Sequence, residues 1–216
     1  NVYEPLIRRT AGLGKPPREF KSKSIHLHHN IDILIVGGGL AGLLAAKKLA
    51  GTDQDVLLVE RDNNLGGILR NSNKIKSIDG QKSADWIEKT EWLLKSANNI
   101  KILKNTTVTT YNYKDHLIAI EDKTVGTPPD NNKPELVMHK IRTKHTVLAN
   151  GHIERFLSFR NNDLPGVMLA ASFEKYIHRY GVVADTSPVI FTNNSSTFSL
   201  LKTMVDMNHK PKAYVD

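Results

Sequence analysis

The sequence predicts an α/β protein: a Rossmann-like, doubly wound parallel sheet with an inserted antiparallel β-meander, followed by part of a second βαβ unit. A buried aliphatic run leads through a glycine-rich turn into a helical segment, three strand-like runs follow in mid-chain, and another strand-helix-strand pattern comes last. The expected division is a basic extended arm at residues 1–30, a dinucleotide-binding domain at 31–151 with the meander at 107–141, and the incomplete second unit at 152–216.

Residues 31–60 form the unit around which this prediction is organised. The unbroken aliphatic run suits a strand buried on both faces, and the Leu-, Ala- and Lys-rich stretch at 40–50 suits a helix. Gly37, Gly39 and Gly42 have the GxGxxG spacing, which permits a tight turn, close backbone approach to a diphosphate and close helix packing. The positive end of the helix dipole suits the same diphosphate.

Glu60 follows the second strand, where a carboxylate accepts hydrogen bonds from ribose hydroxyls. A ribose 2′-phosphate would be repelled there, so NAD or FAD is favoured over NADP, although the neighbouring Arg61 weakens that preference. The embedding of the glycines in a complete strand, turn, helix, strand and acid favours dinucleotide binding. A βαβ unit that keeps the shape without the ligand is the alternative.

Two later glycine positions are further candidates for cofactor contact. Gly66 and Gly67 come shortly after the ribose acid, where backbone could run beside a cofactor, although a structural turn also explains them. The run ending in Ala149 and Gly151 has the pattern of a buried strand. If it returns beside the first strand, it reaches the rim of the dinucleotide crevice; an ordinary strand end with a turn glycine is the alternative.

The composition excludes several functions. The 216 residues contain no cysteine, so disulfides, thiolate nucleophiles, dithiol redox pairs and cysteine metal sites are excluded. No apolar run approaches the length of a membrane span and no signal-peptide pattern is present, which predicts a cytoplasmic protein without membrane contact. We expect no metal at His26, His28 and His29, because they lack a nearby carboxylate or cysteine.

Half of the net charge of +8 lies in the expected arm, where six basic residues stand against two acidic ones. The arm lacks interleaved aromatic residues and precedes no DNA-binding motif, so we expect an acidic protein surface or solvent around it and no nucleic acid. The sequence also offers no group of side chains suited to acid, base or nucleophilic catalysis, and no catalytic residue is predicted.

The remaining elements follow from periodicity. Residues 83–97 suit a helix with Trp86 inside and Trp92 outside its apolar face, and residues 100–103 suit a third parallel strand. The expected meander strands are 107–113, 116–121 and 136–141, and a separate strand begins at 146. A helix at 172–180 should stop at Gly181.

The second unit is a strand at 188–192, a helix at 196–207 and a strand at 213–216. Its turn contains Asn193 and Asn194 where glycines would be needed, so we do not expect it to bind a dinucleotide alone. The chain stops with its second sheet incomplete, which predicts that it is part of a longer polypeptide.

Several segments together resemble the alpha subunit of the heterotetrameric sarcosine oxidases. They are residues 2–9, 11–14, the glycine turn at 37–42, Gly66–Gly67, 148–151, Glu154–Arg155, 163–170 and the Phe-Thr-Asn-Asn stretch at 191–194. The resemblance covers the whole chain but only part of that much longer subunit. Asn150 departs from the Thr or Ser common in related flavoproteins, whereas the missing glycines at 193 and 194 match the family.

The resemblance implies an enzyme that oxidatively demethylates sarcosine to glycine, reduces oxygen to peroxide and passes the one-carbon unit to tetrahydrofolate. It implies FAD on the beta subunit, FMN at the interface between alpha and beta subunits, further gamma and delta subunits, and NAD on this chain. Together with the first unit it predicts a pyrophosphate at Gly37, Gly39, Ala41 and Gly42, the adenosine ribose at Glu60, and the adenine near Arg61 and Val108. Leu40, within the same turn, is also expected to contact the cofactor. Two alternatives remain: the FAD-binding half of an amine or amino-acid dehydrogenase, and a structural module that holds a nucleotide for assembly.

Overall fold

The computed structural model describes residues 24–112, 115–126 and 134–215, together with Tyr3, Ile7 and residues 10–12. The strands are β1 (Ser24–Val36), β2 (Val56–Val59), β3 (Ser77–Ile78), β4 (Gln81–Lys82), β5 (Ile100–Leu103), β6 (Thr106–Asn112), β7 (His116–Asp122), β8 (Leu136–Leu148), β9 (Val189–Phe191) and β10 (Ala213–Val215). The helices are α1 (Leu40–Leu49), α2 (Ile68–Asn71), α3 (Ser83–Ser96), α4 (Ala170–Tyr180) and α5 (Phe198–Asp206).

The main sheet has six strands in the order β5-β2-β1-β8-β7-β6. Strands β5, β2, β1 and β8 run parallel, and β7 and β6 continue the same sheet in antiparallel fashion. Sequential neighbours β1 and β2 are joined through α1, which is the βαβ unit expected at residues 31–60. The predicted Rossmann-like fold with an antiparallel meander is therefore confirmed.

Strand β2 and residues 33–35 of β1 are buried on both faces, as their aliphatic runs predict. On one face, Ile33 and Ile35 pack against α1 and α3, and the buried residues include Trp86. On the other face, Leu34 lies in a cluster with meander residues, among them Leu117. The meander thus covers the face of the sheet that α1 and α3 leave open.

Strand β1 begins seven residues earlier than the sequence predicted, so the prediction of an extended arm over residues 1–30 is wrong for its last seven residues. They pair with β8 from Ser24↔Leu136 to Asn30↔Arg142. The prediction failed because this half of β1 is largely exposed and depends on a partner more than 100 residues away, which no local pattern reveals. The basic residues expected in the arm lie outside the described residues.

Strand β8 is also longer than expected, because the two strands predicted at 136–141 and from 146 are one continuous strand. Polar residues between them interrupted the apolar pattern. Thr143 is nevertheless buried, and its hydroxyl donates to the carbonyl oxygen of His145 at 2.7 Å. A buried hydroxyl with a backbone partner is compatible with a strand interior.

The second unit is built as predicted, with β9 and β10 parallel and joined through α5. The Asn194 side chain accepts a 2.8 Å hydrogen bond from the N–H group of Ser196 and caps the helical turn that precedes α5. Helix α4 ends at Gly181, which adopts a φ of +66°. In the described ranges, none of the helices combines the length and the apolar character needed to cross a bilayer.

Candidate dinucleotide-binding site

The glycine-rich turn lies where β1 passes into α1, and two of its glycines are required by the fold itself. Gly37 has a φ of +106°, and a Cβ there would lie 2.4 Å from the carbonyl oxygen of Ala149. A Cβ on Gly42 would lie 1.8 Å from the carbonyl oxygen of Gly37. The first and third glycines of the motif therefore have the tight-turn and close-packing roles that their spacing predicts.

Gly39 is different, because its bare Cα faces open space. A Cβ at this position would meet no atom within 4 Å, and its backbone has a φ of −76° that any residue can adopt. The fold alone does not require a glycine here. A glycine here leaves the Cα open to close approach by an external group, which is the role that the motif predicts for its second glycine.

The first turn of α1 leaves free hydrogen-bond donors beside Gly39. The first bond into the helix runs from the N–H group of Leu43 to the carbonyl oxygen of Gly39. Among the described residues, no acceptor pairs with the N–H groups of Leu40, Ala41 or Gly42. These donors, together with the positive end of the helix dipole, can bind an anion.

Glu60 faces the glycine turn, and both of its carboxylate oxygens are held by backbone donors. Oε2 accepts from the N–H group of Gly38 at 2.6 Å, and Oε1 accepts from the N–H group of Asp62 at 2.8 Å. A carboxylate has about four lone-pair positions, so two remain for further donors such as ribose hydroxyls. The side chain is therefore fixed in direction and still able to accept.

Gly38 is a site residue that the sequence pattern missed. The GxGxxG motif leaves its second position unrestricted, yet a Cβ on Gly38 would lie 2.5 Å from Leu65 and 3.1 Å from the Glu60 carboxylate. The bare Cα is thus what allows Glu60 to reach the turn. The run of three consecutive glycines was the only signal in the sequence.

Gly66 and Gly67 are brought against the glycine turn. The N–H group of Gly66 donates to the carbonyl oxygen of Gly38 at 2.8 Å, and a Cβ on Gly67 would lie 3.1 Å from the Cα of Gly39. Gly66 and Gly67 have φ values of +115° and +49°. The pair therefore forms a second backbone wall beside the open face of Gly39.

The segment at the end of β8 also reaches this region at Ala149, because β8 pairs with β1. The N–H group of Ala149 donates to the carbonyl oxygen of Val36 at 2.8 Å, immediately before the glycine turn. Gly151 is exposed and has a φ of +71°. The segment after β8 thus forms a wall against Gly37.

Arg61 and Val108 are less closely associated with the turn. The Arg61 side chain is exposed, and Val108 is half-buried against the cluster around Leu34 on the meander side of the sheet. Contact between either residue and an adenine stays a prediction.

The structure adds an ion pair that links the second unit to this site. Arg179, in the last turn of α4, donates from Nη1 to Oδ2 of Asp62 at 2.6 Å. Burial alone would raise the pKa of Asp62, but the hydrogen bond and charge of Arg179, helped by Lys175, hold that pKa below its usual value. The same hydrogen bond raises the pKa of Arg179, so the pair stays charged. No sequence signal connects residues 117 positions apart.

A polar cleft of about 350 Å³ opens beside this ion pair, between α2, α3 and α4. Its lining includes donor side chains from both units, among them Arg70, His178 and Arg179. Arg70 also donates from Nε to the carbonyl oxygen of Leu65 at 2.5 Å, which fixes the loop leading into Gly66. The cleft and the glycine turn therefore share the loop at residues 65–70.

Of the three histidines before the turn, His29 has a side-chain partner on β8. His29 contacts His139 through ring nitrogens 2.8 Å apart, and His139 in turn contacts a Glu121 oxygen at 3.0 Å. Within the described ranges, no group of three His, Asp or Glu side chains is arranged to hold a metal ion.

Comparison with known proteins identifies a family model and relatives that match this chain. Residues 31–190 match the family model described as pyridine nucleotide-disulphide oxidoreductase. The chain is 37% identical over 179 residues to sarcosine oxidase subunit alpha of Corynebacterium sp. (strain P-1), a match that covers 82% of this chain and 18% of that protein. It is 34% identical over 206 residues to the subunit of the same name from Rhizobium meliloti (strain 1021), covering 92% and 20%.

These matches confirm the resemblance predicted from the sequence, and the chain spans about a fifth of the length of these relatives. Among solved structures, L-proline dehydrogenase from P. horikoshii superposes with a TM-score of 0.65 over 93% of this chain and 38% of that one. The two sequences are 21% identical, so this likeness concerns the fold.

Proposed function

Because the chain belongs to the pyridine nucleotide-disulphide oxidoreductase family, we propose that it binds a dinucleotide cofactor, NAD, at the glycine-rich turn of residues 37–42. The observation that carries this proposal is the open face of Gly39, where a Cβ would meet no atom within 4 Å. Gly39 precedes the first turn of α1, whose N–H groups lack an acceptor among the described residues. On this proposal the diphosphate rests on Gly39, Leu40, Ala41 and Gly42. The absence of cysteine separates this chain from the dithiol chemistry in the family's name.

Glu60 would hold the adenosine ribose and select NAD over NADP. Its carboxylate is already oriented by two backbone donors, so little conformational freedom is lost when ribose hydroxyls bind. A 2′-phosphate would bring negative charge against it. Gly66, Gly67, Ala149 and Gly151 would form the walls around the cofactor, and the cleft beside Arg70 and Arg179 offers polar groups to its second half.

On the scale of the whole protein, we propose that the chain is the nucleotide-binding part of the alpha subunit of a sarcosine oxidase. Relatives over most of this chain carry that name, and the word subunit in it supports a multi-subunit enzyme. We therefore propose oxidative demethylation of sarcosine to glycine with oxygen and tetrahydrofolate as co-substrates, FMN and FAD held elsewhere in the assembly, and beta, gamma and delta subunits as partners.

The test is a calorimetric titration of the purified protein with NAD, NADP and FAD. We expect NAD to bind tightest, and we expect Glu60→Gln to weaken NAD binding and narrow the difference between NAD and NADP, since the charge that repels a 2′-phosphate is removed. Exposed Glu88 lies on α3, and Glu88→Gln is the matched control. If FAD binds tighter than NAD, the cofactor of this site is FAD and the NAD assignment is wrong. If none of the three binds, only a structural role is left.

A further inference from the structure

The sequence contains one asparagine followed by glycine, Asn150–Gly151, directly after the strand β8 and its neighbour Ala149. We propose that this pair is a site of spontaneous deamidation, and that the carboxylate it creates beside the glycine-rich turn weakens dinucleotide binding. The consequence for binding rests on the function proposed above, whereas the chemical change does not.

In this reaction the backbone nitrogen of Gly151 attacks Cγ of the Asn150 side chain. A new N–Cγ bond forms, the bond from Cγ to the amide nitrogen breaks, and ammonia leaves with the proton of the Gly151 N–H group. Water then opens the cyclic succinimide at either carbonyl and yields aspartate or isoaspartate, without oxidation or reduction. Glycine favours the attack because it has no side chain to obstruct ring closure.

The structure leaves this pair free to react. Both residues are exposed, and a Cβ on Gly151 would meet no atom within 4 Å. In the part of the chain that is described, the Gly151 N–H group has no acceptor and the Asn150 side chain has no hydrogen-bond partner. Neither the nucleophile nor the amide under attack is held in place.

Two asparagines followed by serine are restrained, by contrast. The side-chain oxygen of Asn71 is buried, and the N–H group of the following Ser72 donates to a carbonyl in the preceding turn at 3.1 Å. The side-chain oxygen of Asn194 accepts a 2.8 Å hydrogen bond from a backbone N–H group. Asn150 has neither restraint, so the tertiary structure adds to the reactivity that its sequence already favours.

The position of Asn150 makes the modification consequential. Its backbone nitrogen lies 3.1 Å from the place where a Cβ on Gly37 would stand, so residue 150 borders the first glycine of the turn. A carboxylate there adds negative charge beside the donors proposed to hold a diphosphate. Repulsion between like charges near the protein surface predicts binding about tenfold weaker.

The modification is tested by peptide mass spectrometry on the purified wild-type protein during incubation at mildly alkaline pH, with isoaspartate detected by enzymatic methyl labelling. We expect conversion at residue 150 well ahead of Asn71 and Asn194, and none at that position in Asn150→Gln. Conversion of all three asparagines at equal rates, or no conversion at residue 150, overturns the proposed site.

The consequence is tested separately by NAD titration of Asn150→Asp and its uncharged counterpart Asn150→Gln. Binding about tenfold weaker in the first variant than in the second supports it, and equal affinity overturns it. If the wild-type protein binds no NAD, the proposed function and this consequence both fail, while the mass spectrometry still decides whether the asparagine is modified.

Discussion

Arg179 and Asp62 form an ion pair with a 2.6 Å hydrogen bond, and through it the last turn of α4 holds the loop that follows the proposed ribose acid. The N–H group of Asp62 also donates to Glu60, whose other carboxylate oxygen accepts from Gly38. A continuous set of hydrogen bonds therefore runs from the second unit to the glycine turn. The second unit takes part in organising the candidate site even though its own turn lacks glycine.

Removal of the guanidinium by Arg179→Met should lower the free energy of unfolding by about 1–3 kcal/mol, because a half-buried carboxylate loses a charged partner. Urea unfolding measures this, and a double-mutant cycle with Asp62→Asn isolates the pair. The control is Arg160→Met, at an exposed position. Equal stability of Arg179→Met and the control would mean that the pair contributes nothing.

The same pair has a defined dependence on pH. The pKa of Asp62 is lowered in the folded state, so its contribution is complete above the unfolded value of about 4 and is lost as pH falls through the lower folded value. The stability difference between wild type and Arg179→Met should therefore shrink in strong acid. A constant difference would contradict this assignment.

Substitution of Gly39 should impair NAD binding, whereas substitution of Gly42 should impair stability. Gly39→Val should leave stability nearly unchanged, since space is open there, and should weaken NAD binding by about 100-fold through loss of the diphosphate contact. Gly42→Ala should destabilise the fold, because its Cβ would stand 1.8 Å from a carbonyl oxygen. Thermal melting and NAD titration separate the two effects. Full NAD affinity in Gly39→Val would remove the main support for the proposed site.

Asn99 stabilises the loop after α1 through its side chain, and Asn99→Ala should cost about 1–3 kcal/mol. Its amide donates to the carbonyl oxygens of Leu49 and Gln54, each at 2.9 Å, and its carbonyl accepts from the N–H group of Gly51 at 3.0 Å. Asn98→Ala, at an exposed neighbour, is the matched control. Equal denaturation midpoints for the two variants would disprove this role.

His29 should make the protein less stable in mild acid. Burial, with the nearby charge of Lys101 and the neighbouring His139, lowers its pKa in the folded state. Below the ordinary histidine pKa of about 6.5, the unfolded chain therefore binds a proton that the folded chain does not bind, so the free energy of unfolding falls as the pH drops. His29→Gln should lose less stability than wild type between about pH 7.5 and about pH 5.5. Exposed His152→Gln provides the comparison, and identical pH profiles for all three proteins would contradict the prediction.

Much of the fold could be predicted because its signals are local. The aliphatic run before Gly37, the helix after it, the burial of Trp86 and the exposure of Trp92 all follow from residue type and periodicity, and the structure confirms them. Backbone geometry at Gly37 and Gly42 could be predicted for the same reason, since a tight turn and a close helix leave no room for a Cβ.

The errors came from strands whose stability depends on distant partners. The sequence pattern did not identify residues 24–30 and 142–145 as strand, because they carry too many polar side chains. In the structure β1 and β8 nevertheless pair along their length. In each case a partner strand supplies the hydrogen bonds that a local window cannot contain.

The sequence by itself determined the βαβ unit, the glycine turn and the acid that follows it, because short-range sterics and hydrophobic periodicity dictate them. Only the tertiary structure decided that Glu60 turns back onto Gly38, that Gly67 approaches Gly39 and that Arg179 reaches Asp62. Those contacts join residues that are far apart in the chain, and their formation depends on how the sheet and helices pack.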